Sequence, residues 1–462
     1  MLRIPTLILL LLGASMASAA LAEPRIDSAL QQALDRQGTV RATILFKLDA
    51  ATDNAELTRE EHLNRRMAAV ARGTEAIIAA AGDDFLVHRR FNLVSAVILT
   101  LDQAALGRVL TLDTVQSVSL DPGGVGHLDV ARALMGIDTI QAPPPAGLGV
   151  TGQNVKVVVM DSGIDSDNTD FAGALVAEAC FCADDGAGCC PNGEVTQTGP
   201  GSAEDDHGHG TWVSGHVLSR GNDAPRGAAP DASLVAVKVL DSDNRFCCAS
   251  DVTAAYDWIA TNHPDADVLN ASLGTSALFG VECSSSTSWL QAMSQATAAV
   301  RANGTLMTAS SGNDESATGI GAPSCLSDVM AVGATYKQNY GTVNCSTPQV
   351  NPSVDDVTCF SNVSPELEVL APGAFLNAPA LGGGTASGLS GTSFSAPLVA
   401  GCAALIKSAY PNASDDQIRA ALINTGLPVL DDRVGQTFPR VDCLEAIQAF
   451  NALIFDDRFE TP

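Results

Sequence analysis

The stretch Val155-Lys-Val-Val-Val-Met-Asp161-Ser-Gly-Ile-Asp165 decides the fold. Its apolar run does not alternate with polar residues, so both faces of the strand it predicts are buried. That is the pattern of a parallel sheet covered on two sides. Similar runs follow at Leu234–Leu240, Val268–Leu273, Thr305–Ser310 and Val329–Gly333. Helical stretches, Asp251–Asn262 and Trp289–Ala302, lie between them. The alternation predicts an α/β domain of three layers with a mostly parallel sheet. Loops at the strand ends are then the place for a site. Asp161 stands at such an end, before a tight turn at Gly163, where an ordinary helix-capping aspartate is the competing interpretation.

Two further motifs carry chemistry. In Asp205-Asp-His-Gly-His209-Gly-Thr-Trp-Val-Ser-Gly215 a helix starts near Gly210. The glycines let another backbone come close, and a histidine there presents one ring nitrogen to a nucleophile and the other to an acid. His207, His209 and His216 also suggest a metal site. In Leu389-Ser-Gly-Thr-Ser393-Phe-Ser-Ala-Pro397-Leu-Val-Ala-Gly-Cys402-Ala-Ala-Leu-Ile406 the helix is small-sided and apolar all round, hence buried. Ser393 lies at its start, where unpaired N–H groups favour negative charge. A simple helix cap would place a serine there too.

Residues 1–122 hold 12 Lys+Arg against 14 Asp+Glu, and the remainder 13 against 38. The net charge of −27 argues against nucleic acid and anionic membrane surfaces as partners. All 12 cysteines lie between Cys180 and Cys443. Residues 1–22 combine Arg3, an apolar run and small residues at Ala17-Ser-Ala19 and Ala20-Leu-Ala22, the pattern of a secretory signal peptide. The run is too short for a membrane anchor, and no later segment reads as long and apolar enough to span. Export makes disulfides the expectation for the cysteines. Cys180, Cys182, Cys189 and Cys190 also suit a zinc cluster, and Cys402 reads as a buried free thiol. Residues of about 25–122 read β-α-β-β-α-β, the order of a ferredoxin-like α+β unit, with a Thr58/Glu61 capping box opening its long helix. Gly123-Gly-Val-Gly126 reads as a linker.

The order Asp161…His209…Ser393, with DSGID, HGTWVSG and GTSFSAP around them, resembles the subtilisin-like serine proteases. LVAVKVL at 234–240, NASLG at 270–274 and ASSGN at 309–313 match further segments in order. The resemblance covers residues of about 130–450. It implies a subtilisin-like catalytic domain at 123–450, a signal peptide at 1–22, a propeptide at 23–122 acting as chaperone and inhibitor, and a short tail at 451–462. It further implies Ser393 as nucleophile, His209 as general base and Asp161 as its partner, with Asn313 donating to the oxyanion. Peptide substrates are expected to add as a strand beside Ser272, Leu273 and Gly274. Ser311 and Gly312, with Ser310, are expected to form a pocket wall, and Ala322-Pro-Ser324 its floor. Small walls suit large apolar side chains, whereas Asp314 suits a basic one.

No cofactor is expected for catalysis. Structural calcium is considered at Asp184-Asp185, Asp205-Asp206, Asp241-Ser-Asp243 and Asp431-Asp432, with solvated surface as the other interpretation. The sequence departs from the family pattern at Trp212, Ser214 and Phe394-Ser395, and has Asn168 where a histidine is common. These changes bear on pocket shape and not on proton transfer. The resemblance implies a secreted, monomeric serine endopeptidase made as a zymogen. A catalytically inactive binding module is the alternative.

Overall fold

Non-alternating strands need helices on both sides, and the computed structural model has them. It describes residues 25–26, 28–48, 59–82, 85–92, 94–120, 130–184 and 187–456. The chain divides into two units, residues 1–126 and 127–462.

The first unit comprises β1 (Arg25–Ile26), α1 (Ser28–Gln37), β2 (Thr39–Phe46), α2 (Arg59–Ala81), β3 (Val87–Arg90), β4 (Ala96–Asp102), α3 (Gln103–Val109) and β5 (Val115–Leu120). Its sheet runs β1-β5-β2-β4-β3. From β5 to β3 all pairs are antiparallel, which is the ferredoxin-like order expected. The unexpected additions are β1 and α1, the latter anchored by Leu30 and Leu34, four residues apart and both buried. Asp102 caps α3, its carboxylate accepting from Ala105 N–H at 2.7 Å. The signal segment 1–22, Thr58 of the capping box and the glycine linker 123–126 lie outside the described residues.

The second unit begins with α4 (Val130–Leu134), α5 (Ile137–Gln141), β6 (Lys156–Asp161), β7 (Leu175–Phe181), β8 (Ala183–Asp184), β9 (Ala187–Gly188), β10 (Thr196–Thr198), α6 (His209–Leu218) and β11 (Ser233–Lys238). It continues with α7 (Ala249–Asn262), β12 (Val268–Ala271), β13 (Leu278–Phe279), α8 (Ser288–Ala302), β14 (Leu306–Ser310), β15 (Ile320–Gly321), β16 (Val329–Thr335) and β17 (Val369–Pro372). Last come β18 (Leu376–Pro379), β19 (Thr385–Leu389), α9 (Thr392–Ala409), α10 (Asp415–Asn424), β20 (Leu427–Asp431), β21 (Gln436–Arg440) and α11 (Cys443–Asp456).

The main sheet is ordered β10-β7-β11-β6-β12-β14-β16-β17-β21-β20, parallel within and antiparallel at its two edges. Along β6 the side chains divide between two cores. Val157 and Val159 pack with Val213 and Val217 of α6 and Ala400 and Ala404 of α9. Val158 and Met160 pack with Val252 and Ile259 of α7 and Leu290 and Met293 of α8. This two-sided burial is why the sequence shows runs in place of alternation.

Two expectations fail here. α9 is by length and mean hydropathy apolar enough to cross a membrane, yet it is mostly buried inside the unit as its core helix. Cys402 is not free but bonded to Cys443, tying α9 to the start of α11. The remaining pairs are Cys180–Cys190, Cys182–Cys189, Cys247–Cys248, Cys283–Cys325 and Cys345–Cys359. Disulfides, not zinc, therefore account for the cysteine-rich loop.

Small residues in α9 set the helix's depth. A Cβ on Gly401 would sit 2.4 Å from that of Ala228. Gly401→Val is therefore expected to cost roughly 1–3 kcal/mol through overpacking, despite relieving a helix-interior glycine. An unchanged thermal unfolding midpoint would show that the contact can relax freely.

Candidate active site

Asp161 ends β6 between β11 and β12 and has no exposed surface. Its Oδ1 accepts from Ser162 N–H and from His209 Nδ1–H, each at 2.7 Å. His209 is the first residue of α6 and is 8% exposed. Glycines explain how the two motifs meet. A Cβ on Gly210 would lie 2.2 Å from Gly163 O, and one on Gly163 2.4 Å from Ala203 O. Gly163 also has φ +123°, a conformation that favours glycine. Any larger residue at either position separates the acid from the histidine.

Asp205 fastens this junction. Its carboxylate accepts from the N–H groups of His207, Gly208 and Thr211 and from the hydroxyls of Ser162 and Thr211, at 2.6–3.0 Å. Ser162 Oγ in turn accepts from Gly210 N–H at 2.8 Å. Burial pushes the Asp205 pKa up, but these bonds outweigh it and hold the carboxyl below its ordinary value. Lys238, fully buried, donates to Ser162 O and Leu240 O at 2.8 Å and to Asp206 at 2.6 Å. Burial likewise pushes His209 down. The charge and hydrogen bond of Asp161, aided by the charge of Asp205, reverse that and raise its pKa above 6.5. With Nδ1–H committed to Asp161, Nε2 is the nitrogen left to accept a proton.

The sequence departures cluster here. Trp212 meets the His209 ring edge-on with centroids 6.3 Å apart, and Phe394 lies 5.8 Å from it. Neither lines the cleft, so they pack the imidazole and leave the pocket's shape to others. Asn168 bonds to Asp165 and Ala380 O, tying the first motif to a distant loop.

Ser393 is the second residue of α9 and is 9% exposed. Its Oγ lies 3.4 Å from Ser272 O, a long and weak contact. Ser272 Oγ donates to Ser393 O at 2.8 Å and accepts from Asn270 Nδ2 at 2.9 Å. Asn313 Oδ1 accepts from Thr392 N–H at 2.8 Å and Thr392 Oγ1 at 3.1 Å. Thr392 Oγ1 accepts Gly312 N–H at 3.1 Å. The carbonyl side of the Asn313 amide is thus spent on the start of α9, leaving its NH2 as the group available to a ligand. At the α9 N-terminus, N–H groups lack intrahelical acceptors.

A cleft of about 670 Å³ joins these parts. His209, Ser393 and Asn313 line it with Ser272–Gly274 and Ser310–Gly312. The expected floor, Ala322 and Ser324, is buried beneath, and only neighbouring Gly321 reaches the cleft. Thr275 and Ala322 exchange two 3.0 Å hydrogen bonds there. Sequence reasoning missed Trp289 and the wall at Arg245–Cys247. It also missed Asn362, whose Oδ1 accepts from Asp314 N–H and Ser316 N–H and whose Nδ2 donates to Asp314 at 2.9 Å. Asp314 is therefore partly engaged and not a bare charge awaiting a basic side chain. No local pattern marks Asn362, which reaches the loop from 49 positions downstream of Asn313.

Several of the metal-ligand candidates already have protein partners. His207 Nδ1 accepts from His209 N–H at 3.2 Å, and His209 is bonded to Asp161. Asp205 and Asp431 are buried and hydrogen-bonded, neither solvated surface nor free for calcium. Asp206 is taken by Lys238, and Asp241 by the N–H groups of Asp243 and Arg245. Asp185 lies outside the described residues. Among the described residues one group of three potential ligands converges, Cys247, Cys248 and Asp251, and its two cysteines are joined to each other.

The profile of the subtilase family matches residues 152–441. Subtilisin NAT of Bacillus subtilis subsp. natto is 33% identical over 343 residues, 73% of this chain and 77% of that protein. Subtilisin BL of Lederbergia lenta is 34% identical over 292 residues, 63% of this chain and 90% of that protein. A solved protease from Pseudoalteromonas arctica shares the fold, with a TM-score of 0.53 at 23% identity over 70% of this chain and 94% of that one. The profile takes in more than half of the residues, including Asp161, His209, Asn313 and Ser393, and the chain belongs to the subtilase family.

Proposed function

We propose that this subtilase is a secreted serine endopeptidase that matures by processing itself. One observation carries the chemistry. The buried Asp161–His209 hydrogen bond of 2.7 Å, Ser393 and the Asn313 amide converge on one cleft. A serine hydroxyl is a weak nucleophile unless a base stands beside it. The contact of Ser393 Oγ with Ser272 O is weak, so turning the hydroxyl hydrogen towards His209 Nε2 costs little. Oγ then attacks the scissile carbonyl as its proton passes to Nε2. Asp161 stabilises the imidazolium formed. The oxyanion receives hydrogen bonds from Asn313 Nδ2 and Ser393 N–H. The imidazolium protonates the departing amine, leaving an acyl-enzyme. Water, deprotonated by the same imidazole, releases the acid and restores the hydroxyl.

The first unit fits the role of a propeptide. It has its own ferredoxin-like core, contains no cysteine and is near neutral, whereas the second unit is strongly acidic and disulfide-bonded. Six disulfides and the segment 1–22 support export. Peptides and proteins are the substrates, and the first unit acts as an inhibitor until it is removed.

Ser393→Ala is expected to abolish casein cleavage and to leave the chain unprocessed in gel analysis. A variant that still processed itself would remove Ser393 as nucleophile. Asn313→Ala is expected to lower kcat by about 10²–10³, the magnitude found on removing a side-chain oxyanion donor in a subtilisin. A loss confined to KM would instead make Asn313 a binding group. The base works only when neutral, and the His209 pKa is raised. The kcat/KM profile should therefore rise with pH through a midpoint above 6.5, the ordinary value for histidine. Asp161→Asn removes the main attraction for the imidazolium, so in that variant's residual activity the midpoint is expected to fall. An unmoved midpoint would assign the titration to another group.

A further inference from the structure

We infer that the Cys247–Cys248 disulfide is a redox-modifiable wall of the substrate cleft, opened by small thiols and governing how firmly extended peptides are held. The inference rests on the protease reading of that cleft.

Ring size sets this disulfide apart. The other five join residues 7 to 42 positions apart, whereas this one joins neighbours. A cross-link stabilises a fold largely by restricting the unfolded chain, and the effect shrinks with the loop closed. A link between adjacent residues restricts almost nothing beyond its own peptide unit. Its contribution is therefore local, a fixed backbone at one point.

That point is on the cleft. Cys247 lines it together with His209, Asn313 and Ser393. On one side stands a tight turn, where Asp241 N–H donates to Arg245 O at 2.8 Å and the Asp241 carboxylate accepts from Asp243 and Arg245 N–H at 2.9 Å. On the other, Cys248 is the N-cap of α7 and supplies no side-chain cap bond. Val252, Ala255 and Ile259 root that helix in the core. Only Phe246–Cys248 lies between two rigid supports, and the disulfide removes the freedom that remains.

Access is selective as well. Cys247 is exposed and neither cysteine of this pair is buried, while each other disulfide has at least one buried cysteine. A thiolate from solvent reaches this pair first. It attacks one sulfur, forms a mixed disulfide and expels the other cysteine as a thiolate. A second thiol displaces the first as its oxidised dimer. The net change is one protein disulfide and two small thiols to two protein thiols and one small disulfide. The reduced form has a resting place, since Cys247 Sγ lies 4.0 Å from Asp251 Oδ2. Asp251 is itself fixed by Ala183 N–H at 3.0 Å, beside the β8–β9 hairpin. Opening the ring returns flexibility to the wall, and a peptide then loses affinity by ordering it on binding.

The test uses the mature enzyme, glutathione as the thiol, iodoacetamide trapping with peptide mapping, and kinetics on two substrates. Alkylation is expected at Cys247 and Cys248 before any other cysteine. KM for an extended peptide should rise about three- to tenfold, with kcat retained, while a short ester that ends at the acyl residue is unaffected. Reoxidation should restore KM. The double variant Cys247→Ser/Cys248→Ser should show the raised KM without thiol and no response to it. Labelling of other cysteines first, or full reduction of this pair with KM unchanged, overturns the inference. Wild-type labelling and kinetics decide the matter if the double variant does not fold. A chain that cleaves neither substrate before reduction overturns the protease reading; one that cleaves both but ignores the thiol overturns this inference alone.

Discussion

A carboxylate with no exposed surface ends the central strand, and much of the second unit is arranged to make that tolerable. A buried charge is costly unless hydrogen-bonded or paired. Asp161 meets the requirement through Oδ1 alone, with one backbone N–H and the imidazole of His209, while its buried Oδ2 has no hydrogen-bond partner among the described residues. The cost of burial is thereby turned into the raised basicity of His209. Keeping that geometry requires two backbones in near contact, which is what Gly163 and Gly210 provide. It also requires a fixed helix start, which Asp205 provides by accepting five hydrogen bonds. Strand, turn and helix are fixed by one local set of bonds, and the cleft inherits its precision from them.

The second half of the site is built by long-range contacts. Asn313 follows β14 and Ser393 opens α9, 80 positions later, yet Thr392 binds the Asn313 carbonyl through both N–H and hydroxyl. Asn313 and the start of α9 are therefore fastened together. Ser272 adds a third strand end by bonding Ser393 O. Three adjacent parallel strands, β6, β12 and β14, thus deliver their loops to the same place, as the ends of a parallel sheet allow.

How much of this the sequence disclosed depends on the range of the interactions. The both-face burial of β6, β12, β14 and β16 is written in their own composition and could be read directly. Asp161, His209, Ser393 and Asn313 were singled out by the resemblance of their motifs to a known family, since each taken alone also suits a cap or a turn. The edge strand β20 and its neighbour β21 were not legible, since their burial alternates and they carry proline at Pro428 and Pro439. Asn362 and the 245–247 wall were hidden for another reason. Their roles arise only when distant segments meet, and nothing local requires their residue types. Cys402 misled because a small-residue helix suits a free thiol as well as a paired one. Its partner lies 41 residues away.

The acidity of the second unit takes on a structural meaning beyond solubility. Several carboxylates are not on the surface at all. Asp170 accepts from the N–H groups of Asn222, Asp223 and Ala224, Glu178 from Gly201 and Ala203, and Asp165 from Gly382. Each buried carboxylate gathers backbone donors from a loop that has no strand or helix to satisfy them. Hydrogen bonds to a charged acceptor contribute about 1.5–3 kcal/mol each, more than neutral ones. A carboxylate therefore does for an irregular loop what a neighbouring strand does for a sheet edge. Calcium holds loops by the same kind of oxygen, and Glu178 and Asp165 keep lone pairs beyond the N–H groups they accept from. Internal hydrogen bonds and disulfides order the loops around this site, and a composition that first spoke only of charge becomes a description of how long loops are held.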